Sequence, residues 1–100
     1  MYRGTTPTHR FTIPFECSLL KEIRIYYKQG DEVILVKETP VCKCEDCTIT
    51  VDLTQEETFL FNCTKNVSIQ LRVLTKQGQS LITKPKVVDV GECFSEEVLK

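Results

Sequence analysis

The chain has one histidine, four glycines and a net charge of only −1 across 100 residues. Each scarcity removes a class of function. A Ser-His-Asp or Cys-His relay needs a histidine held beside a nucleophile, and His9 lies near the start of the chain in what reads as a loose arm. The glycines stand apart as turn residues, so there is no glycine-rich loop to cradle a phosphate. Near-balanced charge, with scattered rather than clustered lysines and arginines, gives no electrostatic footprint for nucleic acid or a membrane surface. The longest apolar run, Val33 to Val36, is far below the ~20 residues that a membrane-spanning helix needs. Glu56-Glu57 and Glu96-Glu97 are neighbours in sequence, whereas a glycosidase needs carboxylates that converge across a cleft. The residues offer no catalytic set.

Compartment signals are equally sparse. Met1 to Phe11 contains Arg3 and Arg10 but neither an apolar stretch nor a cleavage motif, so the expected compartment is a reducing cytosol. Six cysteines are many for such a place. Asn62-Cys63-Thr64 and Asn66-Val67-Ser68 match the glycosylation pattern, and without secretion they are chance matches.

What is present is alternation. Phe11, Ile13 and Phe15 alternate with polar or proline positions. So do Ile23, Ile25 and Tyr27; Ile49, Val51 and Leu53; and the longest run, Val67, Ile69, Leu71 and Val73. Side chains in a strand point to opposite faces in turn, so each run predicts one buried and one wet face. Val33 to Val36 is continuously apolar and predicts a strand covered on both sides or lying beneath a loop. Gln29-Gly30-Asp31 and Lys76-Gln77-Gly78-Gln79 are hairpin turns. Thr54-Gln55-Glu56-Glu57 forms a capping box, enough for one helical turn near residues 54–58 before Phe59 and Phe61 resume a strand. Pro14 and Pro85 belong at edges or bulges.

The expected fold is therefore all-β. About seven short strands at this spacing favour a small two-sheet β-sandwich of immunoglobulin-like style, with a small barrel as the competitor. The expected division is an arm at 1–9, one domain over 10–91 and a second arm at 92–100. An apolar fraction of 41% is enough for one core. That core is expected from Ile23, Ile25, Ile49, Val51, Phe59, Phe61, Ile69, Leu71 and Val73.

Two places could carry function. Cys42, Cys44 and Cys47 crowd one loop and could supply three sulfurs to a structural zinc, with a fourth ligand from Cys17, Cys63, Cys93 or His9. The same sulfurs could form a disulfide or remain thiols, and Cys17 and Cys63 could be small buried hydrophobes. No other cofactor is indicated. The second place is interaction surface: Arg24 and Tyr26 on the wet face of their strand, and Phe94, Val98 and Leu99 at the end. Ser95 could cap a short turn that brings Phe94 to Val98 and docks either on its own domain or on a neighbouring subunit.

Several phrases of the sequence point further. Arg3-Gly4-Thr5-Thr6-Pro7-Thr8-His9 opens the chain, with Phe11 and Pro14-Phe15 after it. Leu53-Thr54-Gln55-Glu56-Glu57-Thr58, Gln70-Leu71-Arg72-Val73-Leu74 and Val90-Gly91-Glu92-Cys93 with Glu97-Val98-Leu99 follow. Together they resemble small proteins encoded in prophages and tailed phages of gut Firmicutes, usually near virion structural genes. The likeness covers nearly the whole chain, although the Cys42–Cys47 loop stands where a shorter polar loop is expected. The resemblance implies a non-enzymatic particle component of tail, baseplate or capsid surface. Its partners would be other phage structural proteins or further copies of itself. Its place would be the bacterial cytoplasm during assembly and then the virion. A small metal-binding or redox module built on Cys42–Cys47 is the alternative.

Overall fold

The computed structural model describes residues 1–39 and 43–100. In chain order its elements are β1 (Thr8–Thr12), a 3-10 turn (Cys17–Leu19), β2 (Leu20–Gln29), β3 (Glu32–Glu38), β4 (Lys43–Glu45) and β5 (Thr48–Asp52). Then come α1 (Gln55–Thr58), β6 (Val67–Thr75), β7 (Ser80–Ile82) and β8 (Lys86–Val88). The strands form two antiparallel sheets. The smaller has the order β1-β5-β4. The larger runs β3-β2-β6, with β7 and β8 lying end to end along the far side of β6.

Alternation decides which side of the larger sheet is dry. In β2, Ile23, Ile25 and Tyr27 are buried, and in β6 so are Val67, Ile69, Leu71 and Val73. The register sets Ile25 opposite Leu71 and Tyr27 opposite Ile69, so these side chains share one face. Ile49 and Val51 of β5 meet them from the smaller sheet, and Leu53, Phe61, Ile13 and Val90 complete one core. Tyr27, absent from the expected core, is fully buried at its centre and tilts against Phe61 at 5.8 Å between ring centroids.

Both predicted hairpins form, Gln29 pairing with Glu32 and Thr75 accepting the Gly78 amide at 3.0 Å. The capping box is complete, because the Thr54 hydroxyl accepts the Glu57 amide and the Glu57 carboxylate accepts the Thr54 amide. Strand pairing does not resume at Phe59. The amides of Phe59, Leu60 and Phe61 bond back to Gln55, Glu57 and Thr58. That helical spacing turns Phe61 into the core and sends Phe59, only half-buried, toward the N-terminal segment. Buried Gln29 then anchors the following turn, donating to the Asn62 and Lys65 carbonyls and accepting the Asn62 amide.

Val33 to Val36 is not covered on both sides. It lies in an edge strand, and a bulge opposite Tyr27 and Lys28 turns both Val33 and Val36 outward. His9 is not in a loose arm but within β1, half-buried, with Nδ1 2.7 Å from the Tyr27 hydroxyl.

Candidate interaction surface

Because the odd-numbered residues of β2 face the core, Glu22, Arg24, Tyr26 and Lys28 face away from it. Cross-strand register then builds rows on that outer side. Arg24 stands between Glu38 and Arg72, Tyr26 between Val36 and Gln70, and Lys28 between Val33 and Ser68. Every side chain of these rows is exposed or half-buried. Val33, Val36, Ile82 and Val87 are 40–59% exposed, forming an aliphatic rim around Tyr26. Tyr26 also divides two shallow cavities. One, of about 420 Å³, has Lys28, Val33, Gln70 and Pro85 in its walls. The other, of about 260 Å³, has Arg24, Arg72 and Leu74.

Charge on this face is unbalanced in one row. Arg24 sits 3.8 Å from Glu38 on one side, but on the other it is directly opposite Arg72, a like-charge pairing that disfavours the sheet unless an anion bridges it. Sequence reading picked out Arg24 and Tyr26. It missed the aliphatic rim, since Val33 to Val36 read as a strand covered on both sides or lying beneath a loop, and Ile82 and Val87 were not singled out. The parity of the bulged β3 against β2 carries that information, and it needs the pairing to be known.

The edges of the larger sheet are closed to casual pairing. On β3, the bulge is joined by Lys37, whose buried side chain points inward and meets Glu57 at 2.6 Å. Inward charge and bulges are devices that blunt an edge. The opposite edge is interrupted between β7 and β8 by Pro85, and Thr83 fills the gap. Its amide donates to Leu71 and its hydroxyl accepts the Leu71 amide at 3.1 Å. What remains open is the face.

The two ends of the chain meet α1 at one corner. The Met1 ammonium donates to Asp89, the Gly91 amide to Met1, and the Arg3 amide to Gly91. The Arg3 guanidinium lies over the Phe59 ring at 5.5 Å and donates to the Phe59 carbonyl and to Glu96, each at 3.0 Å. Two glycines allow these approaches. A Cβ on Gly4 (φ +80°) would come within 2.7 Å of the Phe59 ring, and one on Gly91 within 2.3 Å of Tyr2. Thr58 joins the segments through its hydroxyl, which accepts the Gly4 amide and donates to Thr5. The Gln55 side chain holds Leu99 by two bonds, donating to its carbonyl at 3.0 Å and accepting its amide at 2.9 Å.

No helical turn forms at the end of the chain. The Ser95 hydroxyl does accept the Glu97 amide, but Phe94 is fully exposed, Leu99 is 73% exposed, and Val98 is half-buried beside Gln55.

Of the three candidate metal ligands the structure describes two, Cys44 and Cys47, and they stand in different states. Cys44 is joined to Cys17 in a disulfide, so its sulfur is not a thiolate in this structure. Cys47 is a half-buried free thiol, and Cys42 lies outside the described residues. Among the described residues no three or more His, Cys, Asp or Glu side chains converge on a point that could hold a metal ion. Of the other sulfurs, Cys63 is exposed and Cys93 half-buried, its thiol donating to Ser95. His9 has its pKa lowered below the ordinary 6.5, first by burial and then by the charges of Lys86 and the N-terminus.

Comparison with protein-family models, with curated proteins and with solved structures finds no match for this chain.

Proposed function

We propose that this chain is a non-catalytic structural or accessory component of a phage or prophage particle, acting by protein–protein assembly. The observation that carries the reading is the uncovered outer face of the larger sheet. It combines an amphipathic aromatic anchor, an aliphatic rim and two arginines opposed in register, beside edges blunted by a bulge and an inward charge. Aromatic residues and arginine are the side chains that most often dominate protein–protein binding energy. The resemblance of the Arg3–His9, Leu53–Thr58 and Val90–Leu99 phrases to small phage proteins supplies the context, and three of these phrases run through the corner where the termini meet.

The finer reading of the fold belongs to the same proposal: the two antiparallel sheets around one core form an immunoglobulin-like sandwich. The functional test is mass spectrometry of particles purified after induction of a host carrying this gene. The chain is expected in the particle fraction at fixed stoichiometry, and a Tyr26→Ala, Val36→Arg chain is expected to be lost from it. A wild-type chain found only outside the particles would overturn the proposal.

A further inference from the structure

We infer that the outer face of the larger sheet receives the C-terminal segment of a second copy of this chain, with Phe94 as the inserted side chain. The inference rests on the assembly reading above and names its partner. Phe94 is fully exposed, so covering its ring on a partner gains the transfer free energy of a large apolar side chain. Here it is also held in place. Gly91 is bonded to both Met1 and Arg3, Glu96 to Arg3, and Leu99 to Gln55, so the backbone on each side of Phe94 is fixed while the ring projects. A segment whose backbone is tied down in advance loses little backbone freedom on binding.

Receptor and ligand match in shape and charge. The cavity of about 420 Å³ is lined by the Tyr26 ring, Val33 and Pro85, and its volume accommodates a phenyl group. Around Phe94 the exposed acids are Glu92 and Glu97, with Glu96 engaged by Arg3 of its own copy. Lys28 lines this cavity and Arg24 and Arg72 line the adjoining smaller one; among the described residues, Arg24 is the one of the three in an ion pair, with Glu38. Glu22, at the far wall of the smaller cavity, is the acid a partner must avoid. A carboxylate from the incoming segment set between Arg24 and Arg72 relieves the like-charge row.

One copy does not satisfy itself in this arrangement. The segment is tied to α1, and α1 is reached by the inward-pointing Lys37, so Phe94 is held with the core side of the sheet while the cavity opens on the other. The contact joins two different patches, so copies either exchange segments about a two-fold axis or repeat head-to-tail into a ring or filament.

Sedimentation velocity of the full chain from about 10 µM to about 1 mM tests this, since a contact of one ring and about two ion pairs falls in that range. Wild type is expected to associate with rising concentration. Phe94→Ser, which removes the ring, and Val33→Arg, which fills the cavity, each change exposed side chains and are expected to leave the melting temperature unchanged. Each alone is expected to weaken association at least about tenfold. Mixed in equal amounts they are expected to form dimers and nothing larger, because one retains the receptor and the other the ring. Three results would overturn the inference: a monomeric wild type throughout, association that survives Phe94→Ser, or a mixture that stays monomeric. A monomeric wild type that still enters particles would overturn this inference alone and leave the assembly reading intact.

Discussion

Lys37 and Glu38 are neighbours in β3, yet their ion pairs belong to different physical regimes. Lys37 points to the core, is 11% exposed and meets Glu57 at 2.6 Å, and that same carboxylate closes the helix cap through the Thr54 amide. Glu38 points outward, is 60% exposed and stands 3.8 Å from Arg24. The inner pair cannot lose one member cheaply, because a lone charge would be left in a largely buried position. The outer pair is screened and replaceable, and its arginine remains available to a partner. Strand parity alone converts adjacent residues into a structural element and a recognition element.

The sharpest way to break this comparison is to remove the inner carboxylate. Glu57→Ala strands Lys37 and opens the capping box, and is expected to cost about 4 kcal/mol in urea denaturation. A loss under about 1 kcal/mol would mean that Lys37 swings out to solvent. Leu71→Ala is next. It lies on the same dry face, is fully buried, and is expected to cost about 3 kcal/mol by the same measurement.

Acid titration sharpens the comparison further. Burial alone would raise the Glu57 carboxyl, but the bonds from Lys37 and Thr54 outweigh it and hold its pKa below the ordinary 4.5. A lowered folded pKa means that the unfolded chain takes up the proton first. The stabilisation is thus complete above about pH 4.5 and is lost as pH falls through the folded value. His9 obeys the same sign from a higher start, its contribution being complete above about pH 6.5 and fading below it. Urea midpoints measured against pH are expected to fall in two stages. His9→Gln is expected to remove the earlier stage and Glu57→Gln the later one. The smallest effect belongs to the outer pair. Glu38→Gln is expected to change stability by less than about 0.5 kcal/mol and to leave both stages in place.

The parts of the fold legible in the sequence were those fixed by local rules. Alternation in Leu20–Gln29 and Val67–Thr75 placed Ile23, Ile25, Leu71 and Val73 on one dry face, and the Thr54–Glu57 box placed the helical turn. What was not legible depends on pairing between distant segments. Val33 and Val36 have core-like side chains and opposite parity, and a bulge against β2 is what turns both of them outward. Phe59 fits an alternating pattern by composition, while the hydrogen bonds of α1 set it at helical spacing under Arg3. Arg24 and Tyr26 were found because they share the period of their buried neighbours. Gln55, which clasps Leu99, was read only as a helix former, since nothing local signals a contact 44 residues away.

The Cys17–Cys44 bond acts on the unfolded chain as much as on the folded one. It joins the entry to β2 with a strand of the other sheet, and closes a loop that contains the whole β2–β3 hairpin. For a separation of 27 residues, the chain-statistics estimate of the entropy removed from the unfolded ensemble corresponds to roughly 3–4 kcal/mol. That is a large share of the stability of a domain this size. The protein accordingly has two stabilities, one for each oxidation state of this pair. Passage from a reducing to an oxidising environment would tighten the domain while leaving the outer face of the sheet unchanged.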